Sequence, residues 1–368
     1  MRKRNRMIRI GLATVLILSA LFASGCSKPD VIPPDVIPPE GADGNRTAET
    51  QASENLIFPL TGEQASDPEA VSRRPLSVKI ENTPETRPQS GVGIADVVYE
   101  SVTEGGITRF NCIFHSTVPD EVGPVRSARN SDLSVVPEYD ALFFFSGAND
   151  YVYADIAATR LPIMSEDAVP DMYYRYPGKS APHNLWLKIG SAYDRAYDLG
   201  YGTAASDAVR LNFGASEHAA ATPASSFSIP WGGVFNVEWT WDDGQSVWLR
   251  SQQNNPFTDA ITGEQVGAAN VVILWADYIT AEDIPGKGQT FNVNLKGSGT
   301  AAVFRGGQRI DGKWTSDGTS PPRFVDASGA EILLNPGQTW FEVPQTSLDI
   351  QVAIPIPSSG GTEGEGNA

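Results

Sequence analysis

Val122-Gly-Pro-Val-Arg-Ser-Ala-Arg129 decides how the first half of the chain folds on paper. Gly123 can turn the backbone, and Pro124, with its fixed φ, suits the first position of a helix. Arg126 and Arg129, three residues apart, would then project from one helical face. Continued through the apolar positions that follow, the stretch predicts a helix over 125–136, and helical spacing predicts a second over 189–199. Strand-like runs lie around them at 76–80, 97–102, 108–114 and 141–146. Strands alternating with helices make residues 74–222 an expected α/β domain.

Beyond a Pro, Ser and Gly segment at 223–233 the pattern changes. Short alternating runs at 234–241, 246–251, 270–275, 291–295, 301–305, 324–325, 331–334 and 340–343 are separated by turn pairs such as Asp243-Gly244 and Gly306-Gly307. Period-two alternation with glycine turns predicts an all-β domain over 231–357, an antiparallel sandwich or a barrel-like form. Seven of the eight tryptophans fall at or beyond this boundary, and only Trp186 precedes it. Flat rings of this kind can stack on sugars, but alternate strand positions bury them as core, which is the plainer expectation.

The N-terminus carries Arg2, Lys3, Arg4, Arg6 and Arg9, then an apolar run over 10–22 too short to span a bilayer. Small residues then precede Cys26, the pattern of a bacterial lipoprotein signal over 1–25. Cys26 would become the lipidated N-terminus, carrying palmitate-type acyl chains that hold the protein at the membrane. The expected location is extracytoplasmic, on the outer face of the cytoplasmic membrane; Ser27 permits onward sorting to an outer membrane where the organism has one. Residues 26–73 are rich in Pro and acidic residues and include the doubled unit Val31-Ile-Pro-Pro-Asp35 and Val36-Ile-Pro-Pro-Glu40, an expected disordered spacer. The Gly and Glu tail 358–368 is expected to be disordered as well. Loss of the signal takes five cations with it and moves the net charge from −17 to −22. Such a charge argues against nucleic acid or a bare anionic lipid surface as partner. Only Cys26 and Cys112 are present, so lipidation leaves no intramolecular disulfide.

Unusual polar residues concentrate in the first half. Arg109, Arg126 and Arg129, with Arg175, His183 and Asn184 further on, form a candidate ligand-binding set, because guanidinium forks match carboxylates and phosphates. Asp96, Glu100 and Glu104 stand ready to pair with the same arginines as internal bracing. His183, between Pro182 and Asn184, is a candidate general acid or base with Glu100 or Glu104, or else a cap for the turn that follows. Ser127 between the arginines is better suited to capping than to attack. The three histidines lack metal-ligand spacing, no phosphate-binding glycine loop or Gly-x-Ser-x-Gly elbow occurs, and no cofactor is expected.

These residues carry a resemblance. Arg87-Pro-Gln-Ser-Gly91, Ala95-Asp-Val-Val-Tyr-Glu100, Glu104-Gly-Gly-Ile-Thr-Arg-Phe110, Gly123-Pro-Val-Arg-Ser-Ala-Arg129 and Ala181-Pro-His-Asn184, followed by Asn270-Val-Val-Ile273, Gly312-Lys-Trp314 and Pro336-Gly-Gln-Thr-Trp340, make the chain similar to the YerB-like bacterial lipoproteins over residues 74–345. The resemblance implies an N-terminal and a C-terminal domain and brings no established catalytic residues. The expected function is therefore a tethered envelope protein that binds an anionic envelope component or a protein partner through Arg109, Arg126 and Arg129. The rivals are an envelope-polymer hydrolase or transferase using His183, and a structural assembly factor without a ligand.

Overall fold

The computed structural model describes residues 56–354, apart from 208 and 285–287. The signal 1–25, Cys26, the spacer as far as residue 55 and the tail 358–368 lie outside the described residues. Residues 56–73, counted with the spacer from sequence, carry ordered contacts: Leu60 is fully buried, Pro68–Ser72 is a short helix, and the Arg73 Nε donates to the His115 carbonyl at 2.8 Å.

The Leu76–Glu81 strand shows how the sheet is built. Leu76, Val78 and Ile80 point to one face and Ser77, Lys79 and Glu81 to the other, yet all six are buried, because both faces of the sheet are covered. The strand pairs antiparallel with Thr108–Phe114, which places Glu81 opposite Arg109, and parallel with Leu142–Phe144. Thr108–Phe114 pairs in turn with Val97–Val102. There the chain does something its sequence does not announce: Thr339–Val343, from the far end, lies parallel to Val97–Val102 on one side and to Asn270–Leu274 on the other. Gly297–Arg305, Gln308–Ser316 and Arg323–Asp326 continue antiparallel to the opposite edge. Among the described residues ten strands from both halves of the chain thus share one mixed sheet.

A second, six-stranded antiparallel sheet, centred on Ser226–Ile229, Val237–Asp242 and Val247–Gln252, covers one face of the first. Aromatic rings fill the space between them. Trp239 meets Trp340 edge-on at 5.2 Å, and Phe227 stacks on Phe304 at 3.7 Å. Trp239, Trp248 and Trp340 are fully buried core, while Trp241 and Trp275 pack against it only partly buried. Each such ring contributes about 1.5–3 kcal/mol on burial. The other face is closed by Val135, Val136, Tyr139, Val152 and Ile156 from short helical segments.

The first half departs from the α/β expectation. It is mostly strand, and its helices are short: Asp132–Val135, Asp150–Ala158 and Ala192–Asp198. The helix expected over 125–136 is not formed at its start. Tertiary pairing holds residues 122–126 extended: Val122 bridges Leu187, Gly123 bridges Ser90, Val125 bridges Ile80, and the Arg126 amide donates to the Lys79 carbonyl at 2.9 Å. Gly123 serves close approach, since a Cβ there would stand 2.8 Å from the Trp186 ring. The helix starts only at Asp132, whose carboxylate accepts the Arg129 amide at 2.7 Å. Among the described residues no helix is long and apolar enough to cross a membrane.

Candidate functional site

The polar side of the Leu76–Glu81 strand forms a row with the polar side of Thr108–Phe114, and the row is anchored by a closed network. Lys79 Nζ lies 2.8 Å from Asp132 Oδ1, with both side chains buried. Asn111 donates to the same oxygen at 3.0 Å and accepts from Ser77 Oγ at 2.7 Å. Burial lowers the Lys79 pKa, although Asp132 opposes the shift.

At the end of this row sits Glu81, 1 % exposed. Its Oε1 is 2.9 Å from His183 Nδ1 and accepts from Thr83 Oγ1 at 3.0 Å, while Oε2 is 2.9 Å from Arg126 Nε. The His183 and Arg126 side chains are 27 % and 23 % exposed, so a buried carboxylate holds two cation-capable groups at the surface. Arg126 Nη1 also reaches the Pro182 carbonyl at 3.4 Å, tying the 122–129 segment to the His183 turn.

Arg129 is spoken for. Its Nε donates to Glu104 Oε2 at 2.7 Å, and Asn149 donates to the other oxygen at 2.9 Å. Burial works against the Glu104 charge, but Arg129 and Asn149 outweigh it and bring the carboxyl down to about 2.

Arg109 is different. It is 9 % exposed, and among the described residues its one hydrogen bond is from Nη1 to the Ser127 carbonyl at 3.1 Å, an acceptor that it shares with Arg129 at 3.3 Å. Among the described residues no carboxylate stands within ion-pair distance of Arg109, and its buried Nε has no acceptor. Burial depresses its pKa to about 9, and the neighbouring Arg129 and Arg126 add repulsion that Glu104 and Glu81 only partly offset.

Arg175 is largely exposed. Its Nη1 donates to Asn184 Oδ1 at 3.3 Å, and Nη2 stands 3.8 Å from Glu166. Asn184 braces its own turn by donating to the Lys179 carbonyl at 3.2 Å. Arg109, Arg126, Arg129 and His183 therefore come together, with Arg175 and Asn184 at the margin.

The three carboxylates named beside the arginines part company. Glu104 joins Arg129. Glu100 points to the opposite face, where it meets Arg250 at 2.8 Å with both side chains fully buried and receives Asn82 at 3.1 Å. Asp96 accepts from the His115 and Ser116 amides and the Ser116 hydroxyl, and burial raises it to about 6. The partner of His183 is Glu81, not Glu100 or Glu104. Sequence reasoning passed over Glu81, although its signal was present: Ser77, Lys79 and Glu81 are three polar residues at alternate positions of one strand, which marks a face that must be satisfied by something other than core.

Chemically, the rim offers a buried guanidinium without a counter-ion, flanked by two others, beside an imidazole oriented through Nδ1. A small oxyanion would satisfy the first, and the second leaves Nε2 as its other proton-carrying position. Cys112 is fully buried and burial raises its thiol pKa, so it is core. Among the described residues no group of three or more His, Cys, Asp or Glu side chains gathers to hold a metal.

Residues 60–202 match a family model described as the N-terminal domain of a protein of unknown function (DUF3048), and residues 227–341 match the corresponding C-terminal domain. The chain is 28 % identical over 303 residues to a protein of Bacillus subtilis (strain 168) named "Putative lipoprotein YerB", which covers 81 % of this chain and 89 % of that one. A crystal structure of the YerB protein from Bacillus subtilis is similar with a TM-score of 0.72 at 26 % identity, covering 81 % of this chain and all of that one.

Proposed function

The chain belongs to the YerB-like (DUF3048) family, and we propose that it is a lipid-tethered extracytoplasmic protein that binds a small oxyanion, a phosphate or carboxylate group of an envelope component or partner, at Arg109, Arg126 and Arg129. Tethering rests on the Cys26 signal and on the lipoprotein name of the relative. Cys26 would hold the protein to the outer face of the cytoplasmic membrane, or of the outer membrane in an organism that has one.

One observation carries the binding proposal. A guanidinium that is 9 % exposed, without a carboxylate and with its Nε unpaired, costs stability unless something else compensates it. A bound oxyanion between Arg109 and its neighbours supplies the missing acceptors, and Arg126 provides an accessible edge through which it could enter. Arg175 and Asn184 would contact only the larger body to which the anion belongs.

The test is calorimetric titration of inorganic phosphate and of acetate into the full-length protein at low salt. Binding in the wild type that is lost in Arg109→Gln supports the site, and the stronger of the two anions identifies the group. Absence of binding in the wild type leaves the arginines as bracing and the protein as a structural assembly factor.

A second function is favoured by the His183 to Glu81 contact of 2.9 Å. A buried carboxylate on Nδ1 fixes the imidazole tautomer and supports proton transfer at Nε2, so hydrolase or transferase chemistry on the bound anion's carrier would run through His183 with Glu81. Full envelope function in a His183→Ala strain would rule it out.

A further inference from the structure

At the far edge of the large sheet, away from the arginine rim, Ser216, His218 and Asp326 stand in one hydrogen-bonded line. Asp326 Oδ2 lies 2.7 Å from His218 Nδ1, and His218 Nε2 lies 3.0 Å from the Ser216 hydroxyl. The donors and acceptors fix the direction of each bond. Asp326 Oδ1 is occupied by the Ser328 amide and hydroxyl and by the Ala330 amide, which leaves Oδ2 for the imidazole. The Ser328 hydroxyl first, and then His218, hold the Asp326 carboxyl below its usual range, so it is ionised and accepts from Nδ1–H.

The serine side is equally constrained. Ser216 Oγ receives Arg305 Nη2 at 3.0 Å and the Leu333 amide at 3.4 Å, both of them donors. The acceptor left for its proton is His218 Nε2. Serine donating to Nε2, with Nδ1 donating to a fixed carboxylate, is the proton arrangement of an activated nucleophile. His218 is buried, while Ser216 is half-buried between exposed Ala215 and Glu217.

We propose that Ser216 is a nucleophile toward O-acyl esters, with His218 as general base and Asp326 as the positioning residue. Oγ attacks the acyl carbon while its proton passes to Nε2; the C–O bond to the alcohol breaks and the alcohol leaves with that proton. Water then adds to the acyl carbon, gives its proton to Nε2, and the acid departs as Ser216 is reprotonated. Arg305 and the Leu333 amide both donate to Oγ at rest, so the longer Leu333 bond opens to free a lone pair as Oγ attacks. No co-reactant beyond water is needed.

The test uses the full-length protein and an alkyl fluorophosphonate, whose phosphorus bonds to Oγ as fluoride leaves and the proton goes to His218. Intact mass and peptide mapping should show one adduct, on Ser216. His218→Gln should slow labelling by about a hundredfold, Asp326→Asn should slow it, and Asp326→Glu should restore part of the rate. Ser191→Ala, a change at an exposed serine of the first half, should label as the wild type does, which shows that reactivity belongs to Ser216 and not to any accessible serine. Wild-type protein that stays folded and unlabelled at Ser216, or labelling that does not change in His218→Gln, overturns the proposal and makes the three residues a brace between the 214–221 connection and the sheet edge.

Discussion

Arg126 and His183, 57 residues apart in sequence, share one carboxylate: each lies 2.9 Å from a different oxygen of the buried Glu81. This contact joins the 122–129 segment to the 181–184 turn and places an arginine and an imidazole on the same rim. Next to it, Arg109 has no such partner. Arg126 has a carboxylate at ion-pair distance although its Nε makes no well-directed hydrogen bond, whereas among the described residues Arg109 has neither a carboxylate nor an acceptor for its Nε.

Arg109→Gln should therefore not weaken the fold. Removing a buried charge without a counter-ion is expected to leave stability unchanged or to raise it by about 1 kcal/mol. Denaturant unfolding without added anion checks this, and a clear loss would mean that Arg109 is internal bracing.

Glu81→Gln separates the two roles in another way. It removes a negative charge that competes with any incoming anion, so phosphate should bind more tightly, while the loss of two charge-assisted contacts should cost about 1–3 kcal/mol of stability. Parallel phosphate titration and denaturant unfolding give both numbers.

Arg250→Met tests whether the two sequence halves stand or fall together. Arg250 comes from the smaller sheet and Glu100 from the larger, and Arg250 also lies over the rings of Phe257, Trp340 and Phe110 at 4.1, 5.1 and 5.5 Å. Its loss would bury Glu100 unpaired beside Glu342, whose pKa is already raised by burial and by Glu100, at a cost of about 3–5 kcal/mol. Glu100→Gln combined with Arg250→Met should recover part of this. Unfolding should remain one cooperative transition.

The pH dependence has a definite sign. Burial raises Glu138 from 4.5 to about 8, so the folded state holds a proton that the unfolded chain releases. Stability from this group is complete below the unfolded value and falls as pH rises toward 8, by at most about 1.4 kcal/mol per unit. Asp96, raised by burial from 3.8 to about 6, acts in the same direction over the lower part of that window. Glu104 runs the other way, and its contribution disappears only as pH falls toward about 2. Denaturant midpoints between pH 6 and 8 should decline in the wild type and flatten in Glu138→Gln.

Strands were the legible part of the sequence. The runs at 97–102 and 108–114 coincide with the observed strands, and those at 76–80, 270–275, 301–305 and 340–343 fall on strands with small differences at the ends. Alternation survives because each of these strands has two chemically distinct faces. The helix over 125–136 did not survive, because glycine, proline and paired arginines satisfy a local helix-start pattern while Leu187, Ser90 and Ile80 offer the same backbone extended partners. The parallel insertion of Thr339–Val343 beside Val97–Val102 has no local signature at all; it is a contact between residues more than two hundred positions apart. The site was legible in the same uneven way. Arg109, Arg126, Arg129 and His183 lie near one another in the fold, but the carboxylates expected beside them by nearness in sequence only partly follow: the fold supplies Glu81 across a strand pair and sends Glu100 to the other face.

The most direct measurement is a crystal structure of the protein grown with tungstate, a phosphate mimic with a strong anomalous signal. An anomalous peak within about 4.5 Å of an Arg109 guanidinium nitrogen, one N–H···O hydrogen bond plus one metal–oxygen bond away, and shared with Arg126 or Arg129, is the predicted result. A peak bound elsewhere, or none, with the Arg109 Nε enclosed by protein, would contradict it.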